Sequence, residues 1–160
     1  VLIKPLDYMY DHLINKTLKN ISVLLCWANC ICCSIEAFGK FYTGNTKSGY
    51  SRKNFETFIS SYMNGDFYEK KLNKKYYGKI LWDDFRNGIA HGFTIKSGGF
   101  EHNYNEYFRI EKTNSLLIDP AKFYDDFKKA VNLFCEDLNS DDSKYKTFEK
   151  VFEEVFIEGK

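Results

Sequence analysis

Apolar residues recur at three- and four-residue intervals through most of this chain, the spacing of one helix face. Leu6, Met9, Tyr10, Leu13 and Ile14 follow Pro5, which suits a first helical turn, and predict a first helix. After a break near Asn20, Leu24, Ala28, Ile31, Ile35 and Phe38 form the stripe of a long second helix reaching about Phe41. The run YTGNTKSGY then reads as a loop from its Gly, Asn and Ser content. Ser51 is placed to cap a third helix bearing Phe55, Phe58, Ile59 and Tyr62, and Asn64-Gly65-Asp66 marks its end. A fourth helix is expected to begin between Glu69 and Lys74 and to carry Tyr77, Ile80, Leu81, Trp82 and Phe85.

Downstream the period changes. KSGG at 96–99 reads as a turn, and YFRIE (107–111) and SLLID (115–119) predict a small β-hairpin insertion at about 107–119. Asp119-Pro120 is a cap followed by proline, a strong helix start. Phe123, Phe127, Ala130, Val131 and Phe134 then define a helix to about Leu138. NSDDS breaks the pattern, and a last helix holds Phe148, Val151, Phe152 and Val155. The expected fold class is mainly α: a bundle of about five to six helices with one small β insertion, in a single domain spanning 1–160.

Composition narrows the functions. An aromatic share of 18% argues against disorder, and with two prolines few segments are barred from being helical. A net charge of +1 gives no bulk attraction for nucleic acid, so any such binding needs a local patch. Four of the five cysteines crowd one apolar segment and cannot staple distant loops, and no secretory signal opens the chain. A reduced, cytoplasmic setting is therefore expected. The apolar stretch 21–38 is near the minimum for a membrane span, but it holds Asn29 and Glu36, and a charge inside hydrocarbon is expensive. A buried core helix, with no membrane partner, is the expectation. Cys26, Cys30 and Cys33 share one face of it, yet structural zinc takes four ligands, so buried packing thiols and no metal or other cofactor are expected.

Candidate chemistry concentrates in LWDDFRNGIAHGF, 81–93. Asn87 and His91 are four apart and share a helical face; Arg86 and His91, five apart at about 100° each, diverge by roughly 140°. Two copies of this helix meeting across a two-fold axis would bring two Arg and two His to one cleft. His exchanges protons near neutrality, and Arg offers a permanent charge and a planar fork of donors to phosphate oxygens. Asn87 can hold the imidazole or a phosphate, and Gly88 and Gly92 keep bulk away. Such a set suits RNA cleavage by attack of the 2′-hydroxyl without a metal. In the competing structural reading, Arg86 pairs with Asp83 while Asn87 and His91 lock the helix end.

Arg86-Asn87-Gly88-Ile89-Ala90-His91 resembles the Arg, four-to-six residues, His signature of HEPN domains, including the polar residue that often follows the arginine. The resemblance implies a compact helical bundle, usually dimeric. It further implies, as in many members, a metal-independent endoribonuclease with an active site shared across the dimer, often a toxin or defence effector; other members are non-catalytic interaction modules. Arg86, Asn87 and His91 would be the site, RNA the substrate, and a second copy and an antitoxin or regulatory protein the partners. The hairpin after the motif departs from the simple bundle.

Lys71, Lys75 and Lys79 share a helical face in the predicted fourth helix and, with Tyr76 and Tyr77 interleaved, form a candidate RNA-backbone guide; a solvated lysine face is the alternative. His12 and His102 are expected to be surface or packing residues. Nucleophile elbows, phosphate-binding glycine loops and dinucleotide fingerprints are absent from the sequence.

Overall fold

Ala28, Ile31 and Ile35, three positions of one sequence stripe, are completely buried, and the molecule is organised around the helix that carries them. The computed structural model describes residues 3–14, 21–63, 71–72, 75–92, 94–101, 108–110 and 115–157. The fold is mainly α. Helix α1 (Ile3–Met9) widens into a π-helical turn, Tyr10–Ile14. Next come the central helix α2 (Ile21–Thr43) and α3 (Ser51–Tyr62). The motif helix follows as α4 (Tyr77–Ile80), a π-helical middle (Leu81–Arg86) and α5 (Asn87–Gly92). Helices α6 (Pro120–Ser140) and α7 (Asp142–Phe152) close the bundle.

Helices α2 and α3 approach so closely that a Cβ on Gly39 would sit 2.2 Å from the Asn54 carbonyl oxygen. Asn54 itself is fully buried, its amide donating to the Asn45 carbonyl at 2.8 Å and accepting from the Thr43 hydroxyl at 2.7 Å. Those bonds fix the intervening loop. Phe38 packs within ring-contact distance of Phe58, Phe127 and Phe134, joining α2, α3 and α6 in one aromatic core. Tyr124 on α6 donates to the Ile3 carbonyl and to Asp7, tying α1 down. By length and composition α2 is apolar enough to cross a membrane, and 56% of that apolar window is buried inside the fold.

The expected hairpin is present: β4 (Phe108–Ile110) pairs antiparallel with β5 (Leu116–Ile118). A third strand was not expected. Gly99–Phe100, read from sequence as the edge of a turn, is β3 and runs parallel to β5, giving the order β3-β5-β4. Gly98, at φ +107°, makes this possible, because a Cβ there would lie 2.1 Å from the Leu116 carbonyl oxygen. Phe100 meets Phe85 edge to face, so the sheet packs on the motif helix.

Three further expectations are corrected. The helix expected from 69–74 begins only at Tyr77; before it, Lys71–Leu72 (β1) and Lys75–Tyr76 (β2) form a two-stranded antiparallel ladder. Lys71, Lys75 and Lys79 therefore do not share a helical face. Like charges at four-residue intervals disfavour helix, and tyrosine favours strand. Ser51 does not cap α3, because a 3₁₀ turn (Ser48–Tyr50) leads straight into it. Cys26, Cys30 and Cys33 are exposed rather than packed, while Cys32 is buried and its thiol pushed up to about 12 by desolvation. The stripe 24-28-31-35 turns Cys26, Cys30 and Cys33 outward.

Asp119 caps α6 as expected, its carboxylate accepting from the Lys122 amide at 3.1 Å with Pro120 at the first helical position. Asp119→Ala is expected to cost about 1 kcal/mol in urea unfolding, and Asp119→Asn far less.

Candidate functional site

Arg86 is the last residue of the π-helical stretch, in which the Asn87 amide donates back to the Trp82 carbonyl, five residues earlier. Such widened turns are often found at functional sites. The same widening at Tyr10–Ile14 and Glu153–Ile157 denies it diagnostic value here.

The arginine does not pair with Asp83, the partner expected in the structural reading; Asp83 faces Arg52 at 3.6 Å. Its guanidinium instead reaches α2, where Nη2 and Nε donate to one oxygen of Glu36 at 2.5 and 3.1 Å. Nη1 donates to the Asn87 side chain at 3.1 Å. The guanidinium carbon lies 4.6 Å from the Trp82 ring centroid, a cation–π contact. The pair is largely enclosed, with side-chain exposures of 17% for Arg86 and 9% for Glu36. Lys40 sits 3.5 Å from the other Glu36 oxygen. Burial pushes the Glu36 carboxyl up. Hydrogen bonds from Ser51 and Arg86 and the charges of Arg86 and Lys40 outweigh it, holding the group below its ordinary value. The Cys33 thiol, on an exposed residue but partly desolvated, feels the same arginine: desolvation raises it and the Arg86 charge pulls it partly back.

Asn87 and His91 keep the expected four-residue relation, because α5 is α-helical from Asn87 onward. Asn87 is half-buried against the guanidinium and His91 is exposed, with no hydrogen bond or ion pair among the described residues. The structure thus joins Arg86 to Asn87 and leaves His91 open to solvent at the helix end. Beyond it the chain doubles back: the Thr94 amide donates to Gly88 and the Lys96 amide to Asp84. Gly88 permits that return, since a Cβ there would stand 2.4 Å from the Thr94 oxygen. Backbone approach, not clearance of a cleft, explains this glycine.

Three hydrogen bonds occupy three of the five N–H groups of Arg86, leaving one on each terminal nitrogen without a partner among the described residues. Glu36, Trp82 and Ser51 were missed as site residues. A lone carboxylate in an apolar helix was the readable signal for Glu36, since a buried charge demands a partner. Of the predicted lysines, Lys79 stands on α4, half-buried, while Lys71 and Lys75 lie on β1 and β2. His12 is a surface residue stacked on Tyr8 and donating to the Tyr8 carbonyl. His102 lies outside the described residues. No metal-binding group of His, Cys, Asp or Glu occurs among the described residues. No family model, curated protein or solved structure matches this chain.

Proposed function

We propose that the chain is a HEPN-type, metal-independent endoribonuclease, working as a homodimer in the manner of the toxin and defence members it resembles. One observation carries the reading: a guanidinium fixed by Glu36, Asn87 and Trp82 on the helix whose next turn presents a solvent-reachable imidazole. In this reading His91 transfers the proton between the 2′-hydroxyl and the leaving 5′-oxygen. Arg86 stabilises charge on the phosphate through its two remaining N–H groups, and Asn87 orients Arg86. Pairing about a two-fold axis supplies the second Arg/His set, and an antitoxin-like partner would act by covering it.

A second reading is favoured by the Glu36–Arg86 ion pair: the motif braces α2 against the motif helix in a non-catalytic interaction or dimerisation module. Cleavage of mixed single-stranded RNA in EDTA separates the two. His91 is exposed, so His91→Ala leaves the fold intact, and the expected result is a loss of at least about a hundredfold in cleavage rate. Equal cleavage by both proteins, or by neither, rules the enzyme out.

A further inference from the structure

A groove of about 410 Å³ opens between α3 and the start of α4, within the size range of small-ligand sites. Its walls carry Arg52, Lys53 and Lys79 against one carboxylate, Glu56. That carboxylate is already engaged by Arg52, which binds it at 2.8 Å and also approaches Asp83. Lys53 and Lys79 have no carboxylate partner among the described residues, so the described lining carries an excess of positive charge. Tyr76, 48% exposed, forms part of the same wall, and the Thr57 and Ser60 side chains add hydroxyl groups. Two ammonium groups and an aromatic ring lining one groove suit a ligand with an anion at one end and a flat π-system at the other. A nucleotide has that form.

The groove also adjoins the motif. Arg52 contacts Asp83 on the motif helix itself at 3.6 Å, three residues before Arg86. We propose that this groove binds one nucleotide of a single-stranded RNA, its phosphate between Lys53 and Lys79 and its base against Tyr76. The choice of an RNA strand over a free nucleotide rests on the endoribonuclease reading; the binding chemistry is common to both.

The test uses the His91→Ala chain, so that RNA stays whole, with fluorescence anisotropy on a labelled single-stranded oligoribonucleotide and calorimetry with AMP. Lys53→Glu combined with Lys79→Glu is expected to weaken RNA binding at least about tenfold and to lower the salt slope by about two. Tyr76→Ala is expected to weaken it at least about fivefold. Lys146→Glu on α7 serves as a charge control and is expected to stay within about twofold. Circular dichroism checks that each variant is folded. AMP binding lost in the same groove variants supports the site with a free nucleotide as its ligand. RNA binding without AMP binding supports the strand. Unchanged affinity in the groove variants, or no binding of either ligand to the parent chain, overturns the proposal. If the groove variants lose RNA but the wild-type chain never cuts it, the endoribonuclease reading fails and the groove stands. Cutting by wild type with groove variants binding normally is the reverse.

Discussion

Replacing Glu36 with alanine is expected to cost about 3 kcal/mol of folding stability, because it strips the carboxylate from a largely enclosed arginine. The Trp82 ring and the Asn87 side chain remain as partners, which keeps the loss at the lower end for a broken enclosed ion pair. Urea unfolding of wild type, Glu36→Ala, Arg86→Ala and the double variant measures the coupling. Single losses that add, with no coupling energy, would contradict a stabilising contact. Converting both residues to Met is expected to recover most of the loss, since an apolar pair carries no desolvation penalty. That recovered protein takes folding out of the comparison: in the endoribonuclease reading wild type cuts RNA and the Met pair does not, whereas in the interaction-module reading neither cuts.

The same carboxyl sets a pH dependence with a definite sign. Its folded value lies below the ordinary 4.5, so the unfolded chain binds the proton more readily. The contribution is complete above 4.5 and is lost as pH falls below that through the folded value. Glu36→Gln is expected to remove this part of the acid slope. The stability gap between wild type and Glu36→Gln should then narrow from about pH 6 to about pH 3 when thermal unfolding is followed at each pH.

Gly39→Ala is the second large effect, expected to cost about 3 kcal/mol or more from a single methyl group. The methyl would meet the carbonyl carbon and oxygen of Asn54 at 2.5 and 2.2 Å, and backbone of a well-formed helix cannot rotate aside. Helices α2 and α3 must separate, which loosens Phe38 against Phe58 and weakens the Thr43 and Asn45 bonds to Asn54. Gly49→Ala is a matched control, because a Cβ there meets nothing within 4 Å. A Gly39→Ala protein unfolding within about 0.5 kcal/mol of wild type would mean that the helices are not in contact at this point.

Where the chain could be read in advance, a period and a stop signal agreed. The stripe from Leu24 to Phe38 is buried or nearly so in α2, and Asp119-Pro120 starts α6 as its two residues dictate. The lysine-rich entry to the motif helix misled because apolar spacing was extended backwards from Tyr77 across residues whose mutual repulsion opposes a helix. Strand β3 is two residues long and exists through its parallel partner β5, so no local pattern announces it. At the site, Arg86, Asn87 and His91 were visible as residue types and spacing. The contact that fixes Arg86 spans 50 positions to Glu36, and spacing along one helix cannot reveal it.

Trp82 beneath the guanidinium has one more use. The chain has two tryptophans, and the other, Trp27, is sealed in the core between Tyr10 and Tyr124. Any anion that draws Arg86 off the Trp82 indole would alter the emission of that fluorophore alone, while Trp27 holds a steady background. Occupancy of the arginine could then be followed optically, without attaching a dye.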